Sequence, residues 1–359
     1  MNENHISKIV LQGFKSIQSL DLDLTNLNVL IGPNGAGKSN FLSLFRMIQQ
    51  ILDNNLQAYI SKSGGPDAFL YYGRKKTEKL SVEICFGNNG YKFSLEPTLD
   101  NKMMFSDEAF CWHAYSKSLG AGHFESLFDQ GTGTGIDKFV IPAIRSWRLY
   151  HFHDTGETAL VKQRHGINDN ETLRPDARNL AAYLFLLRNN FPKQYDRIVK
   201  TVRLVAPYFG DFVLRPITEN KEQIELEWKE KHDDTPLKAF MFSDGTLRFV
   251  CLATMLHQPK EKQPETLIID EPELGLHPAA IGILAGMLRS VSKEKQVIVA
   301  TQSADLLSEF EPENVVVSER KGGITTLQRL DENSLRSWFD EYSLGELWKK
   351  NIFGGRPSL

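Results

Sequence analysis

Residues 27–44 read Leu-Asn-Val-Leu-Ile-Gly-Pro-Asn-Gly-Ala-Gly-Lys-Ser-Asn-Phe-Leu-Ser-Leu. An apolar strand runs into a glycine-rich turn and then into a helix start. From Gly32 to Ser39 the turn fits the pattern G-x-x-x-x-G-K-[ST] in the strand–turn–helix context that gives it meaning. Glycines let backbone N–H groups curl around a phosphate, and the helix beginning near Lys38 aims its positive dipole end at the same anion. The stretch Gly32, Pro33, Asn34, Gly35, Ala36, Gly37, Lys38, Ser39 and Asn40 is therefore a candidate nucleoside-triphosphate cradle. Lys38 would reach the β- and γ-phosphates, and Ser39 would offer its hydroxyl to Mg²⁺.

A second segment supplies carboxylates. Leu267-Ile-Ile-Asp-Glu-Pro-Glu273 is an apolar strand end followed by acids. In a P-loop fold, a parallel strand beside the P-loop strand delivers a carboxylate to Mg²⁺, a role that suits Asp270. Glu271, one residue further, suits the general base that accepts a proton from the attacking water. The alternative reading of this segment is a strand ending in an exposed acidic turn.

The chain has 359 residues and a formal net charge of -3. That length suits one large α/β domain or two domains sharing an interface. The charge argues against a wholly basic nucleic-acid-coating protein and leaves room for a local basic groove. Cys85, Cys111 and Cys251 match no metal spacing and read as buried thiols of a reducing compartment. No apolar run reaches membrane-spanning length and the start lacks a signal-peptide core, so a soluble, cytoplasmic protein without a membrane partner is expected.

Periodicity predicts strands over 6–12 and 20–31, a helix over 40–56, a loop over 61–76 and a β meander over 81–86, 91–96 and 103–113. Gly131-Thr-Gly-Thr-Gly135 reads as a flexible loop. A strand over 148–152, helices over 176–190 and 193–205 split by Pro192, and a hairpin of 211–217 with 223–229 follow. Further on come a helix from Ser243 to Leu256, strands over 266–269 and 296–300, a helix over 278–290, a hairpin of 315–318 with 325–329, and a mostly helical tail over 332–350.

With both nucleotide motifs in place, the chain resembles the ATP-binding-cassette ATPases of the RecF/SMC/OLD-like group, an AAA family kind that includes AAA_21-like proteins. Leu11-Gln-Gly-Phe-Lys-Ser-Ile17 resembles that group's opening strand, and Phe242-Ser-Asp-Gly-Thr-Leu-Arg248 its signature motif. Glu273-Leu-Gly-Leu-His-Pro278 resembles its D-loop and Ala300-Thr-Gln-Ser-Ala-Asp-Leu306 its switch segment. The resemblance implies an α/β P-loop fold: a mixed central sheet with helices, a β-rich lobe and a short helical insertion. It divides the chain into an ATPase-core part over 1–60, a meander and insertion lobe over 61–235, a second core part over 236–320 and a tail over 321–359. It implies ATP and Mg²⁺ as cofactors, and a homodimer in which Ser243, Asp244 and Gly245 meet the γ-phosphate held by the other copy. DNA and a separately encoded nuclease or effector are implied partners, in DNA repair or anti-phage defence.

Departures qualify the resemblance. The switch position, usually His, is Gln302, which hydrogen-bonds but carries no charge near neutral pH. Hydrolysis is then expected to be slow, or replaced by an ATP-gated scaffold role. The loop that follows the P-loop in the family is not evident. His153 or Asp154 is its first candidate and Gln163 the second; His151 and His153 alternate onto one face of the strand end before Asp154, which leaves a metal site or plain structural polar residues as alternatives. Sustained heptads are missing, as is a Toprim-type acid cluster. A transporter subunit is disfavoured by the Phe-Lys-Ser opening and the Ser-Asp-Gly-Thr signature. Lys15, Arg74-Lys75-Lys76 and the Arg145/Arg148 pair are candidates for DNA phosphate contact.

Overall fold

The P-loop strand β3 (Leu27–Ile31) is buried at every position. A strand apolar on both faces belongs inside a parallel sheet with layers on each side. The structure, a computed structural model, describes residues 4–113, 115–128, 135–331, 338 and 341–354. Residues 131–134 of the glycine-rich loop and residues 332–337 and 339–340 of the expected tail helix lie outside them. Contacts divide the chain into two compact units. The first comprises Met1–Leu149, Glu265–Asp270 and Glu294–Leu359, and the second Tyr150–Pro264 and Glu271–Lys293.

In the first unit, β3 lies in a six-stranded sheet with β8 (Trp147–Tyr150), β14 (Thr266–Asp270), β15 (Gln296–Thr301), β16 (Val315–Lys321) and β17 (Ile324–Arg329). Their order is β17-β16-β3-β15-β14-β8. β14, β15, β3 and β16 run parallel, and β17 closes the edge as a hairpin with β16. Helix α1 (Lys38–Leu52) lays Phe41, Phe45 and Ile48 into one core with Leu30, Ile268 and Ile298 of the sheet. Phe45 meets Trp147 edge-on at 5.3 Å between ring centroids, a preferred aromatic geometry.

A second sheet of this unit holds β1 (Lys8–Phe14), β2 (Ile17–Asp23), β4 (Leu80–Phe86), β5 (Asn89–Pro97), β6 (Met103–Trp112) and β7 (Tyr115–Gly120). It is an antiparallel meander in the order β2-β1-β4-β5-β6-β7. The expected β meander is present, with β7 added to it. No position of β7 is buried, so it lacks the apolar alternation that marks a strand in sequence. The helix expected over 40–56 starts at Lys38 and stops at Leu52; α2 (Leu56–Lys62) follows. Asp53-Asn54-Asn55 separates them, with Asn54 at φ 52°. Short polar side chains tolerate that left-handed turn. Helix α3 (Asp137–Arg145), also unexpected, precedes β8.

The second unit contains β9 (His165–Gly166), α4 (Leu180–Asn190), α5 (Pro192–Val205), β10 (Phe209–Val213), β11 (Gln223–Ile224), β12 (Glu227–Glu230), β13 (Leu237–Lys238), α6 (Asp244–His257) and α7 (Pro278–Val291). α6 packs on both α5 and α7 and is buried from Leu247 to Leu256. The hairpin of 211–217 with 223–229 forms in one register, with Val213 opposite Glu227 and Pro216 opposite Ile224. Pro192 occupies the first turn of α5, where its missing N–H costs nothing. Back in the first unit, the tail contributes α9 (Leu344–Lys349), packed on the short helix α8 (Ala304–Leu307).

Candidate functional site

The loop between β3 and α1 has the conformation a phosphate cradle needs. Gly35 stands at φ 81° and Gly37 at φ 104°, a left-handed region that side chains with a Cβ rarely adopt. Gly37 caps α1 without any side-chain hydrogen bond to the first turn, and that turn carries no acidic residue. Asn34, Gly35 and Ser39 are exposed, whereas Lys38 is buried. The Lys38 ammonium donates to the carbonyl oxygens of Gly32 at 2.6 Å and Pro33 at 3.1 Å. A cation folded over uncapped helix N–H groups, with no carboxylate in the turn, is chemically matched to a polyphosphate.

Three residues that the sequence reading left without a role hold this loop in place. Thr325 Oγ1 and Ser318 Oγ both donate to the Ala36 carbonyl, at 3.0 and 3.1 Å. Asn40 Nδ2 donates to Ser16 Oγ at 2.6 Å, and Ser16 Oγ lies 2.8 Å from Thr325 Oγ1. The Thr325 N–H donates to the Ser16 carbonyl at 2.8 Å. The opening hairpin, the P-loop, α1 and the β16–β17 hairpin are thus tied together by a chain of buried hydroxyls. A Cβ at Gly37 would run into the Thr325 side chain, and one at Gly32 into the Ser318 carbonyl. Close approach, as well as positive φ, therefore requires glycine at Gly37.

Strand register sets the remaining first-unit candidates. Asp270 pairs with Ala300, Ala300 with Leu30, and Thr301 with Ile31. Gly32 and Gln302 thus sit level with each other and about two residues beyond Asp270, at the carboxyl edge of the parallel strands, where open α/β sheets bind ligands. One expectation needs correcting. β14, which carries Asp270, is not beside the P-loop strand, because β15 lies between them. The neighbours of β3 are β16 and β15, and Gln302 follows the last residue of β15. Asp270 therefore reaches across a strand, an offset of about 10 Å at the usual inter-strand spacing. Beyond β15, Ser303 caps α8 by accepting from the Leu306 N–H at 3.1 Å.

Glu271 follows Asp270 directly and has φ 42°. A left-handed non-glycine residue before a proline is doubly disfavoured, at about 1–3 kcal/mol. Such strain persists only where surroundings enforce it, and it recurs at functional sites. Further on, Gly275 turns at φ 73°.

In the second unit, Ser243 is the N-cap of α6, accepting from the Thr246 N–H at 3.2 Å. Ser243 and Asp244 are exposed, and Gly245 is packed so closely that a Cβ there would collide with the Gly275 carbonyl oxygen. Arg248, one turn along, is buried. Its guanidinium donates to the carbonyls of Phe152 at 2.8 Å, His153 at 3.1 Å and Leu274. One side chain thereby binds α6, the 152–155 segment and the 271–277 turn. Burial holds its pKa below the usual arginine value. The sequence signal was available: one charged residue on a helix otherwise uncharged from Leu247 to Leu256.

The histidine expectation is corrected. β8 ends at Tyr150, so His151 and His153 are not on a strand face. Among the described residues no group of three His, Cys, Asp or Glu is placed to hold a metal. Gln163 follows a 3-10 turn of the second unit.

Of the basic candidates, Lys15, Arg74 and Lys75 come together with Arg320 around a cavity of about 730 Å³ that also touches Ser16, Asn40 and Tyr72. Arg74 is committed there to Asp67 at 3.2 Å. Lys15 lies over the Phe14 and Phe69 rings, and burial with nearby Arg46 holds its pKa down. Lys76 lies over the Tyr71 and Tyr72 rings. Arg148 donates to the carbonyls of Arg145 and Trp147, a local structural role.

The fold and the cradle are those of a P-loop ATPase, as the motifs led us to expect. The family described as "AAA ATPase domain" matches residues 5–200, and the chain belongs to it. The family described as "AAA domain, putative AbiEii toxin, Type IV TA system" matches residues 143–309. Phosphate import ATP-binding protein PstB 1 of Synechococcus sp. (strain JA-3-3Ab) is 28% identical over 158 residues, 43% of this chain and 55% of that protein. Urease accessory protein 2 of Cryptococcus neoformans var. grubii is 25% identical over 282 residues, 75% of this chain and 20% of that protein. The chain thus spans about half the length of the phosphate-import relative and a fifth of the other. Among solved structures, the Smc head bound to the C-winged helix domain of ScpA matches with a TM-score of 0.59 at 16% identity. That match covers 92% of this chain and 99% of the other. An Smc head domain with an extended coiled coil, bound to the C-terminal domain of ScpA from Pyrococcus furiosus, gives 0.57 at 14% identity, covering 94% and 99%. At such identities the likeness establishes the fold. No described helix is long and apolar enough to cross a membrane.

Proposed function

We propose that this chain hydrolyses ATP to ADP and phosphate and that two copies close on two ATP molecules. The observation that carries the reading is the uncapped, acid-free cradle of Gly32–Asn40 at the carboxyl edge of the parallel strands that also lead to Asp270 and Gln302. Lys38 offsets phosphate charge. Ser39 and Asp270 are the residues that would hold Mg²⁺, and a bound Mg²⁺ would neutralise charge on the β- and γ-phosphates. Glu271 takes the proton of the attacking water as its oxygen bonds to the γ-phosphorus. The bond from that phosphorus to the β,γ-bridging oxygen breaks, and ADP leaves. Gln302 hydrogen-bonds the γ-phosphate or the water.

The second copy would bring Ser243, Asp244 and Gly245 to the γ-phosphate as another helix N-terminus. Phe240 and Met241, 62% and 57% exposed, stand three and two residues before Ser243, an apolar surface that association would cover. Light scattering tests this arm. Wild type should dimerise on adding ATP and Mg²⁺, whereas Ser243→Arg should stay monomeric with ATP affinity within about twofold. Ser243→Arg dimers that still form with ATP would remove the in-trans role.

ATP-driven closure would regulate engagement of DNA or of a separately encoded nuclease, in DNA repair or anti-phage defence, by analogy with the family. Lys15, Lys75 and Arg320 around one cavity favour a phosphate-bearing partner. A second reading, an ATP-gated scaffold without turnover, is favoured by the uncharged Gln302 at the switch.

A further inference from the structure

Gly345 is the second residue of the six-residue helix α9. Its φ is not positive, so the freedom of a left-handed backbone does not explain a glycine there. Its surroundings do. A Cβ at Gly345 would collide with the Ala304 carbonyl and with Ser308 Oγ. The helix backbone of α9 is therefore seated directly on α8, the short helix that begins two residues after Gln302.

The seat is specific. The Gly345 N–H donates to Ser308 Oγ at 3.2 Å, and Ser308 Oγ donates to the Ala304 carbonyl at 2.9 Å. Ser308 Oγ also lies 3.3 Å from Ser343 Oγ. Lys349 Nζ lies 3.7 Å from Asp305 Oδ1. Leu344 and Leu347 are buried. α9 begins with a full capping box: Ser343 Oγ accepts from the Glu346 N–H at 3.4 Å, and the Ser343 N–H donates to Glu346 Oε2 at 2.9 Å. α8 has four residues, too few to hold its own position without such support.

We infer that α9 is a latch on the switch: through Gly345 it holds α8, and thereby Gln302, at the nucleotide edge of the sheet. Gly345 is a positioning residue, and a factor that lifts the tail would slow turnover. This inference rests on the ATPase reading above.

The test replaces Gly345 by Ala in the full chain. Turnover of ATP with Mg²⁺ should fall about tenfold while KM stays within twofold, the signature of a lost transition-state contact. In a Gln302→Ala background the same substitution should cost nothing more, because the two act through one group. A general loss of folding would instead add to the Gln302→Ala defect. Ser343→Ala, which removes the cap of α9 and its contact with Ser308 Oγ but leaves Leu344, Gly345 and Leu347 in place, should act in the same direction and more weakly. Hydrogen exchange gives a readout independent of activity: amides of residues 304–307 should exchange faster in Gly345→Ala, and those of α1 should not. Unchanged exchange at α8, or full additivity with Gln302→Ala, overturns the latch. Absence of turnover in wild type would instead count against hydrolysis and leave the latch to the exchange result.

Discussion

Lys38→Ala is expected to weaken ATP binding about 100-fold, measured by calorimetric titration in the presence of Mg²⁺. Lys38 is buried, and its ammonium is already held against the Gly32 and Pro33 carbonyls on the loop. A cation fixed within a set of backbone N–H groups gains charge-assisted hydrogen bonds to phosphate with little side-chain ordering left to supply. Hydrogen bonds to charged groups are each worth about 1.5–3 kcal/mol, and two lost contacts reach that hundredfold change. The fold should survive, because the core of α1 is carried by Phe41, Phe45 and Ile48. An ATP affinity equal to wild type in a folded Lys38→Ala protein would refute the cradle.

Glu271→Gln should reduce phosphate release about 100- to 1,000-fold, the scale of a lost general base, while leaving ATP affinity close to wild type. The substitution keeps size and hydrogen-bonding shape and removes only the basic oxygen. Because hydrolysis no longer opens the pair, ATP-bound dimers should persist longer. The backbone strain at Glu271, φ 42° before Pro272, is unaffected by the change, so a stability difference is not expected. If Glu271→Gln releases phosphate at the wild-type rate, Glu271 is not the base.

Much of this was readable in the residues, and the reasons are local. The P-loop, the strand ending in Asp270 and the capped helix after Ser243 each announce themselves through glycine spacing, an apolar run or an N-cap. What escaped was long-range. Ser16, Ser318 and Thr325 hold the P-loop from about 20 residues before it to nearly 300 after it, and isolated hydroxyls carry no periodic signal. The interposed β15 escaped for a similar reason: sheet order is a tertiary choice that strand patterns do not encode. β7 escaped because an exposed edge strand has no buried face. The break at Asp53–Asn55 was legible in its polar turn residues but was overridden by the helical period on either side.

The central claim is that the P-loop is half of a site completed by a second copy. Phosphate release from ATP and Mg²⁺ by an equimolar mixture of Lys38→Ala and Ser243→Arg chains tests it most directly. Each variant alone should be inactive, one for want of a phosphate cation and the other for want of closure. A mixed dimer contains one site with Lys38 and Ser243 both intact, so the mixture should regain a measurable part of wild-type turnover. A mixture no more active than its parents, beside a wild type that turns over in the same assay, would contradict the shared site.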